Sequence, residues 1–479
     1  MKRYLCAGIT LLSIVMWSAC GDVFRPIIIP NPPKFPNPAA SHSILTVSDN
    51  GIVNAGVETA QIGSAMVIDV SGDTDESQKN LGLVPVHAVE QSATQGLVVN
   101  ESAAGANQES VTKLTFSGTS ISSTTTISLP PGSAPNFVAT TELNQAYVSM
   151  PGYAPPSVAV VSTTENTIAE TFAVGANPVA LSETADTKKI YVANYGDGTV
   201  TGYNTQDRSQ RPITGQPSSA PIWLAARNDS QQVYVLEASG TLGFMTTGTT
   251  SGPDIFTDTT ITAPTATYMW YDVILNRLYI PGEGMVGGTL QPAITIVDVS
   301  QQTPTTLAVV GISTVSTGTR SSTDPCATTT PGTLLVTAVT SLPDASRAYI
   351  GGYYIDSADN VCPQVTVVDA TSYTVKTQIP IPGFPDATNP GNAAYYVPVC
   401  AATRDMAGPT GNGFRLMMAA GGDSTRAYLS SCDGGMVNII QTGTDTYYFN
   451  LPAPYSARSP IPPSSENPPQ NPVFLVAGP

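Results

Sequence analysis

The segment from Pro178 to Tyr203 reads PVALSETADTKKIYVANYGDGTVTGY and holds three short apolar runs separated by polar turns. The first run follows Pro178, the second is centred on Tyr191 and the third ends at Tyr203. The turns are rich in Asp and Gly, which suit tight hairpins because they tolerate left-handed backbone conformations. Short β-branched runs bounded in this way predict antiparallel strands.

The same pattern recurs along the chain with a period of 43 residues. Successive units open on the prolines Pro135, Pro178, Pro221 and Pro264. The second run of each unit carries a tyrosine, at Tyr147, Tyr191, Tyr234, Tyr279, Tyr349 and Tyr428. Four short strands every 40 to 50 residues are typical of β-propeller blades. Several β-sandwiches are the alternative, but they give no reason for evenly spaced prolines. We therefore predict an all-β propeller of four-stranded blades.

One stretch of the repeat carries a family resemblance. Lys189–Asn194, with the sequence KIYVAN, resembles the repeat of the YVTN-family β-propellers. The resemblance is sharpest over residues 135–262 and recognisable over residues 85–451. It implies a propeller fold and an extracytoplasmic location, and it does not imply one activity.

The number of blades depends on how the two ends of the chain are used. Complete units begin near residues 85, 135, 178, 221, 264, 334 and 413, which makes seven. Residues 43–83 resemble strands two to four of another blade, and Asn471–Pro479 resembles a first strand. Seven blades with these segments as decoration is one possibility. We favour eight, with the two termini sharing the closing blade, because that arrangement leaves no open edge strand.

The first residues predict export and a lipid anchor. Two cations, a short apolar run from Leu5 to Trp17 and small residues before Cys20 are typical of a secretory signal over residues 1–19. Ser18-Ala19-Cys20 resembles the lipobox of bacterial lipoproteins, in which cleavage between Ala19 and Cys20 leaves a lipidated cysteine. Trp17 departs from that pattern, which has an aliphatic residue there, and an ordinary cleaved signal is the alternative.

The segment after the cysteine predicts a spacer. Residues 20–42 are rich in proline, which favours an extended semi-rigid linker ahead of a propeller over residues 43–479. In the lipoprotein family an aspartate directly after the cysteine favours the inner membrane, and here that residue is Gly21. We therefore expect a lipid-anchored protein of the bacterial cell envelope, at the outer membrane.

Charge restricts the class of partner. Without Lys2 and Arg3, 17 basic residues face 35 acidic ones, a formal charge of −18. Because such a surface repels phosphate backbones, nucleic acid is not an expected partner. We expect a protein or glycan of the envelope, besides the membrane that the lipid anchor contacts.

Four cysteines remain after Cys6 and Cys20 are assigned to the signal and the lipid, and an oxidising compartment favours disulfides. In the repeat register, each pair occupies the entry loop of one blade and the loop between its second and third strands. These two loops emerge on the same side of a propeller. The register therefore predicts the pairs Cys326–Cys362 and Cys400–Cys432.

The sequence offers no catalytic constellation. Its two histidines are His42, at the end of the linker, and His87, on a predicted inner strand. A histidine metal site needs two or three convergent ligands, and neither a nucleophile elbow nor a phosphate-binding loop is present. We therefore predict no catalytic residue, no metal site and no cofactor, and expect that His87 lies in the core or the channel.

The loops between second and third strands are the candidate binding region. Four acids there, Asp197, Glu237, Glu283 and Asp433, could bind Ca²⁺, although a solvated rim is the favoured interpretation. Aromatic side chains in matching loops could stack on a ligand. The candidate ligand-binding residues are Tyr153, Tyr195, Asp197, Tyr353, Tyr354 and Asp433. The longest insertions, residues 313–333, 351–363 and 382–412, are expected on the same face.

The leading hypothesis is a non-enzymatic binding or scaffold protein. A lactonase-like or other metal-dependent hydrolase acting at the channel is the first alternative, which fold resemblance alone suggests. A surface-layer or adhesion component that self-associates is the second.

Overall fold

The structure is a computed structural model. It describes residues 43–50, 52–54, 57–59, 62–103, 105–141, 144–248, 252–316, 318–385, 400, 404, 408, 411, 413–454 and 470–478. The predicted signal, the lipidation site Cys20, the linker and His42 lie outside these residues. Within the described part, no helix has the length and apolar composition needed to span a bilayer.

The described chain forms eight four-stranded antiparallel sheets, as expected for an eight-bladed propeller. We number blades 1 to 7 along the chain and name the eighth the closing blade. From blade 1 to the closing blade, the innermost strands are Pro85–Ser92, Phe137–Ala139, Pro178–Glu183, Pro221–Ala226, Trp270–Asp272, Leu335–Ser341, Leu416–Ala420 and Asn471–Gly478. In the same order, the second strands are Gln95–Asn100, Gln145–Met150, Lys189–Asn194, Gln232–Glu237, Arg277–Val286, Arg347–Ile355, Arg426–Ser431 and Ser43–Asp49.

The outer half of each blade follows the same order. The third strands are Ser110–Ser117, Ser157–Ser162, Thr199–Asn204, Thr241–Thr246, Thr289–Asp298, Asn360–Asp369, Met436–Gln441 and Ile62–Asp69. The outermost strands are Ser120–Ser128, Thr167–Ala173, Gln210–Arg211, Asp254–Thr262, Thr305–Gly311, Val375–Pro380, Thr446–Pro452 and Thr74–Leu83. Four short strands lie outside this scheme: Ile52–Asn54, Val57–Thr59, Ile213–Thr214 and Phe384–Pro385.

The two ends of the described chain share the closing blade. Ser43 pairs with Gly478 on one side and with Asp69 on the other, in antiparallel register. The C-terminal strand thus becomes the innermost strand of a sheet whose other three strands come from the N-terminal region. The predicted eight-bladed closure is therefore confirmed, and the seven-bladed alternative is wrong.

The antiparallel topology defines two faces of the disc. The upper face carries the connections between blades and the turns between second and third strands. The lower face carries the remaining turns. Because Ser43 begins a second strand and Gly478 ends an innermost strand, both ends of the propeller lie at the lower face.

Burial follows position within the blade. Second strands such as Lys189–Asn194 are buried on both sides, whereas the outer strand Thr167–Ala173 is mostly exposed. Blades pack face to face, so the inner strands have protein on both sides and need apolar residues at every position. This requirement explains why the sequence shows continuous apolar runs there instead of alternation.

The repeated tyrosines join neighbouring blades. All six are buried, and most of their hydroxyls contact the next blade at or beside the turn that leads into its outermost strand. The Tyr428 hydroxyl donates to Asp73 of the closing blade at 3.0 Å, and the Tyr191 hydroxyl donates to Asp254 of blade 4 at 2.9 Å. Arg211 donates to the same Asp254 carboxylate at 2.8 and 3.0 Å.

Candidate functional site

Two disulfides brace the upper face at blades 6 and 7. Cys326 precedes blade 6 and is bonded to Cys362 on that blade's third strand, with the two Cα atoms 5.9 Å apart. Cys400 precedes blade 7 and is bonded to Cys432 beyond that blade's second strand, also at 5.9 Å. These are the two pairs that the repeat register predicts. We call this region, the upper face at blades 6 and 7, the stapled sector.

Buried arginines connect the loops of the stapled sector. Arg320 forms an ion pair with Asp324 at 3.0 Å and donates to the carbonyls of Ile381 and Pro363 at 2.7 and 3.0 Å. Its guanidinium lies over the Tyr354 ring, 6.0 Å from the centroid. These contacts join the segment before blade 6 to two other segments of the same blade, so the loops form one packed unit.

A second arginine, Arg415, connects side chains of blade 7 and blade 6. Arg415 is fully buried, forms an ion pair with the buried Asp433 and lies 4.9 Å from the centroid of the Tyr353 ring. The sequence places Tyr353, Tyr354 and Asp433 in loops that a ligand could reach. The structure corrects this expectation: the tyrosines lie on the second strand of blade 6, and the three side chains are 1%, 5% and 1% exposed.

The other three candidates lie at the upper surface of blades 2 and 3. Tyr153 and Tyr195 are half-buried and pack against the core, which leaves part of each side chain at the surface. Asp197 is exposed, and its carboxylate accepts hydrogen bonds from the Ala176 amide at 2.9 Å and the Thr199 hydroxyl at 2.7 Å. These three are the predicted ligand contacts that a partner can reach.

The acids proposed for Ca²⁺ do not converge within the described part of the chain. Glu237 is buried, accepts hydrogen bonds from Ser218 and the Ser219 amide, and has its pKa raised to about 7, mainly by burial. In the described residues, the close groups of potential metal ligands are two disulfides, each with one neighbouring aspartate. A disulfide has no thiolate to donate, so neither group is a metal site in this oxidised state.

Aromatic side chains close the central channel. His87 of blade 1 stacks on Phe137 of blade 2 at 3.9 Å between centroids, and it lies 4.6 Å from Phe474 of the closing blade. Trp223 of blade 4 packs against Phe137 at 5.3 Å and against Tyr268 at 4.9 Å. Phe414 completes the cluster, 5.7 Å from Tyr268 and 6.0 Å from Phe474. We call this cluster of six rings the plug.

Arg404 crosses the channel above the plug. It belongs to the insertion between blades 6 and 7, yet it donates to the carbonyls of Val179 and Ile222 on the innermost strands of blades 3 and 4, at 3.3 Å each. Its guanidinium lies 5.5 Å from the Trp223 ring centroid. Burial, followed by the nearby Arg404 charge, lowers the pKa of His87 to about 3, so this histidine is neutral at physiological pH.

Sequence reasoning placed His87 on an inner strand, and the structure agrees. It missed Arg404, because the residue lies in an insertion outside the repeat register. The arrangement defines a class of protein: an eight-bladed propeller with a filled channel and a disulfide-braced upper face.

Comparison with known proteins supports the fold and does not identify a family or a function. No protein-family profile and no curated protein matches the chain. Apo AztD from Citrobacter koseri is 10% identical over 91% of this chain and 98% of its own, with a TM-score of 0.53. Dihydro-heme d1 dehydrogenase NirN is 9% identical over 88% of this chain and 75% of its own, with a TM-score of 0.55.

A putative 6-phosphogluconolactonase from Bacteroides uniformis is 13% identical over 71% of this chain and 97% of its own, with a TM-score of 0.48. That similarity is too weak to support a lactonase activity. At these identities AztD and NirN show similarity of fold alone, and fold alone does not assign a function.

Proposed function

We propose that this protein is a non-enzymatic binding or scaffold propeller of the bacterial cell envelope. A lipid on Cys20 anchors it, and the upper face takes a protein or glycan ligand. The observation that carries the proposal is the stapled sector, where two disulfides and the side chains of Arg320 and Arg415 join the described loop segments of one face. Rigid loops favour binding because little conformational entropy is lost when a partner orders them further.

The position of the chain ends supports an orientation in which the upper face points away from the membrane. A linker that precedes Ser43 joins the propeller at the lower face, so a lipid anchor at its far end directs the upper face away from the membrane. Blade 5 adds a long hairpin on that upper face, whose tip exposes Met285 (62%) beside its cross-strand partner Leu290 (47%). An exposed apolar pair on a braced face is the kind of feature that binding partners cover.

The channel favours binding over hydrolysis. A metal-dependent hydrolase needs carboxylate, amide or histidine ligands around a cavity. The described residues that meet in this channel are instead aromatic, with one arginine and one neutral histidine. That chemistry supplies neither a metal-binding set nor a general base of suitable pKa.

The test places a photo-crosslinking amino acid at one of two positions in the full chain, expressed in its own cells. Met285 samples the upper face, and Ile274, which is 51% exposed in a lower-face turn of blade 5, is the matched control. We expect a discrete protein or glycan adduct from position 285 and none from position 274. Adducts from position 274 alone would contradict the proposal, as would metal-dependent lactone hydrolysis by the purified protein. Adducts between two copies at position 285 would favour the self-associating alternative.

A further inference from the structure

Each disulfide of the stapled sector has an aspartate beside it. In blade 6, the sulfur atoms of Cys326 and Cys362 and a carboxylate oxygen of Asp356 lie within 4.8 Å of one another, and all three residues are buried. Cys362 Sγ lies 3.5 Å from Asp356 Oδ2. Two sulfurs and one carboxylate that converge in this way become potential metal ligands when the disulfide is opened.

The distances suit zinc. In a tetrahedral site, a thiolate about 2.3 Å and a carboxylate oxygen about 2.0 Å from Zn²⁺ lie about 3.5 Å apart. Cys362 Sγ and Asp356 Oδ2 already have that separation. Two thiolates on the same ion lie about 3.8 Å apart. Because the Cα atoms of Cys326 and Cys362 are 5.9 Å apart, rotation of the side chains can reach this spacing.

The segments that carry these ligands are also joined by hydrogen bonds. The Thr329 hydroxyl donates to the Asp356 carboxylate at 2.5 Å, and the Ser357 amide donates to the Thr330 carbonyl at 3.0 Å. Both bonds connect the segment after Cys326 to the hairpin that contains Asp356. We therefore expect the reduced chain to keep the ligands close together.

The described donors to Asp356 are neutral. They include the Thr329 hydroxyl and the backbone amides of Ala358 and Asn360, the two amides at 2.8 Å each. Burial alone would raise the pKa of Asp356, but the hydrogen bonds that it accepts lower the pKa below the usual 3.8. The side chain is therefore an anion at neutral pH, as a metal ligand has to be.

The equivalent group in blade 7 differs in its charge. Cys400 and Cys432 lie beside Asp433 within the same 4.8 Å limit. Asp433, however, forms an ion pair with Arg415, and both side chains are 0% exposed. A zinc ion on Asp433 would meet the guanidinium charge and leave Arg415 uncompensated in a buried place. The blade 7 group is therefore a natural control for the blade 6 group.

We propose that reduction of the Cys326–Cys362 disulfide creates a Zn²⁺ site whose protein ligands are the two thiolates and Asp356, with water as the fourth ligand. A dithiol reductant gives the disulfide two electrons and two protons and itself becomes a disulfide. Zn²⁺ then displaces the two thiol protons. Because the metal joins the segments that the disulfide joined, blade 6 keeps a cross-link in both redox states. This site does not depend on the proposed upper-face ligand or on the lipid anchor.

Metal titration of the reduced full chain is the assay. Cys400→Ser/Cys432→Ser keeps the blade 6 pair, and Cys326→Ser/Cys362→Ser keeps the blade 7 pair. A phosphine is the reductant, since a dithiol would compete for zinc; it supplies the same two electrons and takes an oxygen atom from water. It is added in urea before refolding if the folded protein resists it, and peptide mass spectrometry confirms that the pair is reduced.

We expect the variant with the blade 6 pair to bind one Zn²⁺ and, with Co²⁺, to show thiolate-to-metal absorption in its spectrum. The variant with the blade 7 pair should bind Zn²⁺ at least about tenfold more weakly. Asp356→Asn, added to the first variant, keeps the size of the side chain and should weaken Zn²⁺ binding at least about tenfold. The matched control is Asp359→Asn, an exposed acid of the same turn, which should change the affinity less than about twofold.

The proposal is overturned if the reduced blade 6 pair binds no Zn²⁺, if Asp356→Asn binds it as tightly as its parent, or if the oxidised protein binds it equally well. If a double variant does not fold, the unaltered protein is reduced and alkylated with and without Zn²⁺. Protection of Cys326 and Cys362, but not of Cys400 and Cys432, is then expected. Equal protection of all four cysteines, protection of none, or a reduced chain that unfolds even with Zn²⁺ would contradict the proposal.

Discussion

Asp254 is the buried carboxylate at which blades 3 and 4 meet, and exchanging it for asparagine measures how strongly the lower-face contacts hold the ring. It accepts hydrogen bonds from the Tyr191 hydroxyl at 2.9 Å, from two nitrogens of Arg211 at 2.8 and 3.0 Å, and from the Gly248 amide at 2.6 Å. Its side chain is 0% exposed and that of Arg211 is 2% exposed. Asparagine fits the space but removes the charge and turns one acceptor into a donor.

The expected loss is about 3–5 kcal/mol in the free energy of unfolding, since breaking a buried pair leaves an uncompensated charge. Tyr191→Phe removes one bond and leaves Asp254 paired, so about 1.5 kcal/mol is expected. The matched control is Asp229→Asn, because Asp229 pairs with Arg227 but its side chain is 41% exposed. Its cost should stay below about 1 kcal/mol.

Urea unfolding, followed by circular dichroism, is the assay, because an ionic denaturant would itself screen the ion pairs. The reasoning on buried charge would be refuted if Asp254→Asn cost no more than Asp229→Asn. An effect of Tyr191→Phe equal to that of Asp254→Asn would show that the hydroxyl, and not the charge, dominates the contact.

Three further predictions concern other parts of the chain. Replacing both Cys400 and Cys432 by Ser opens a loop with a sequence separation of 32 residues. The free energy of unfolding, measured in urea, should fall by about 3.7 kcal/mol. Unaltered protein that unfolds identically with and without reductant would contradict this prediction. Burial raises the pKa of Glu90 from 4.5 to about 8, so the folded state binds the extra proton and the free energy of unfolding falls as pH rises between these values. Glu90→Gln should remove that dependence, on the order of 1.4 kcal/mol per pH unit, when urea unfolding is compared at pH 5 and pH 8. Cys20→Ser should move the protein from the membrane fraction to the soluble fraction and abolish labelling by a fatty-acid analogue; unchanged fractionation and labelling would argue against lipidation.

The sequence predicted the blades because each blade has to meet the same packing demands. A proline at the entry and a buried tyrosine on the second strand recur because neighbouring blades present equivalent surfaces, so the 43-residue spacing reports the architecture directly. The closing blade was predictable for the same reason. Residues 43–83 resemble only the second to fourth strands of a blade, and residues 471–479 resemble the missing first strand. The disulfide pairs followed from their equivalent positions in two successive blades.

The plug and the stapled sector were not predictable in the same detail. Arg404 lies in an insertion with no equivalent in other blades, so no register indicates that it crosses the channel to Val179 and Ile222. Tyr353 and Tyr354 were expected in a loop because the second strands of blades 2, 3, 4 and 7 end three residues after their repeated tyrosine. In blade 6 that strand continues to Ile355, and arginines from two other segments cover the tyrosines.

The shared closing blade joins two strands that are synthesised far apart in time. Asn471–Gly478 is synthesised after every other described strand, yet it pairs with Ser43–Asp49, which emerges from the ribosome long before it. Pairings between residues so distant in sequence form slowly because the intervening chain must first be brought together. Seven sheets can therefore be in place while the innermost position of the eighth is still empty. A polypeptide that stops before Asn471 keeps an unpaired strand edge, which makes it recognisable to proteases and chaperones as unfinished.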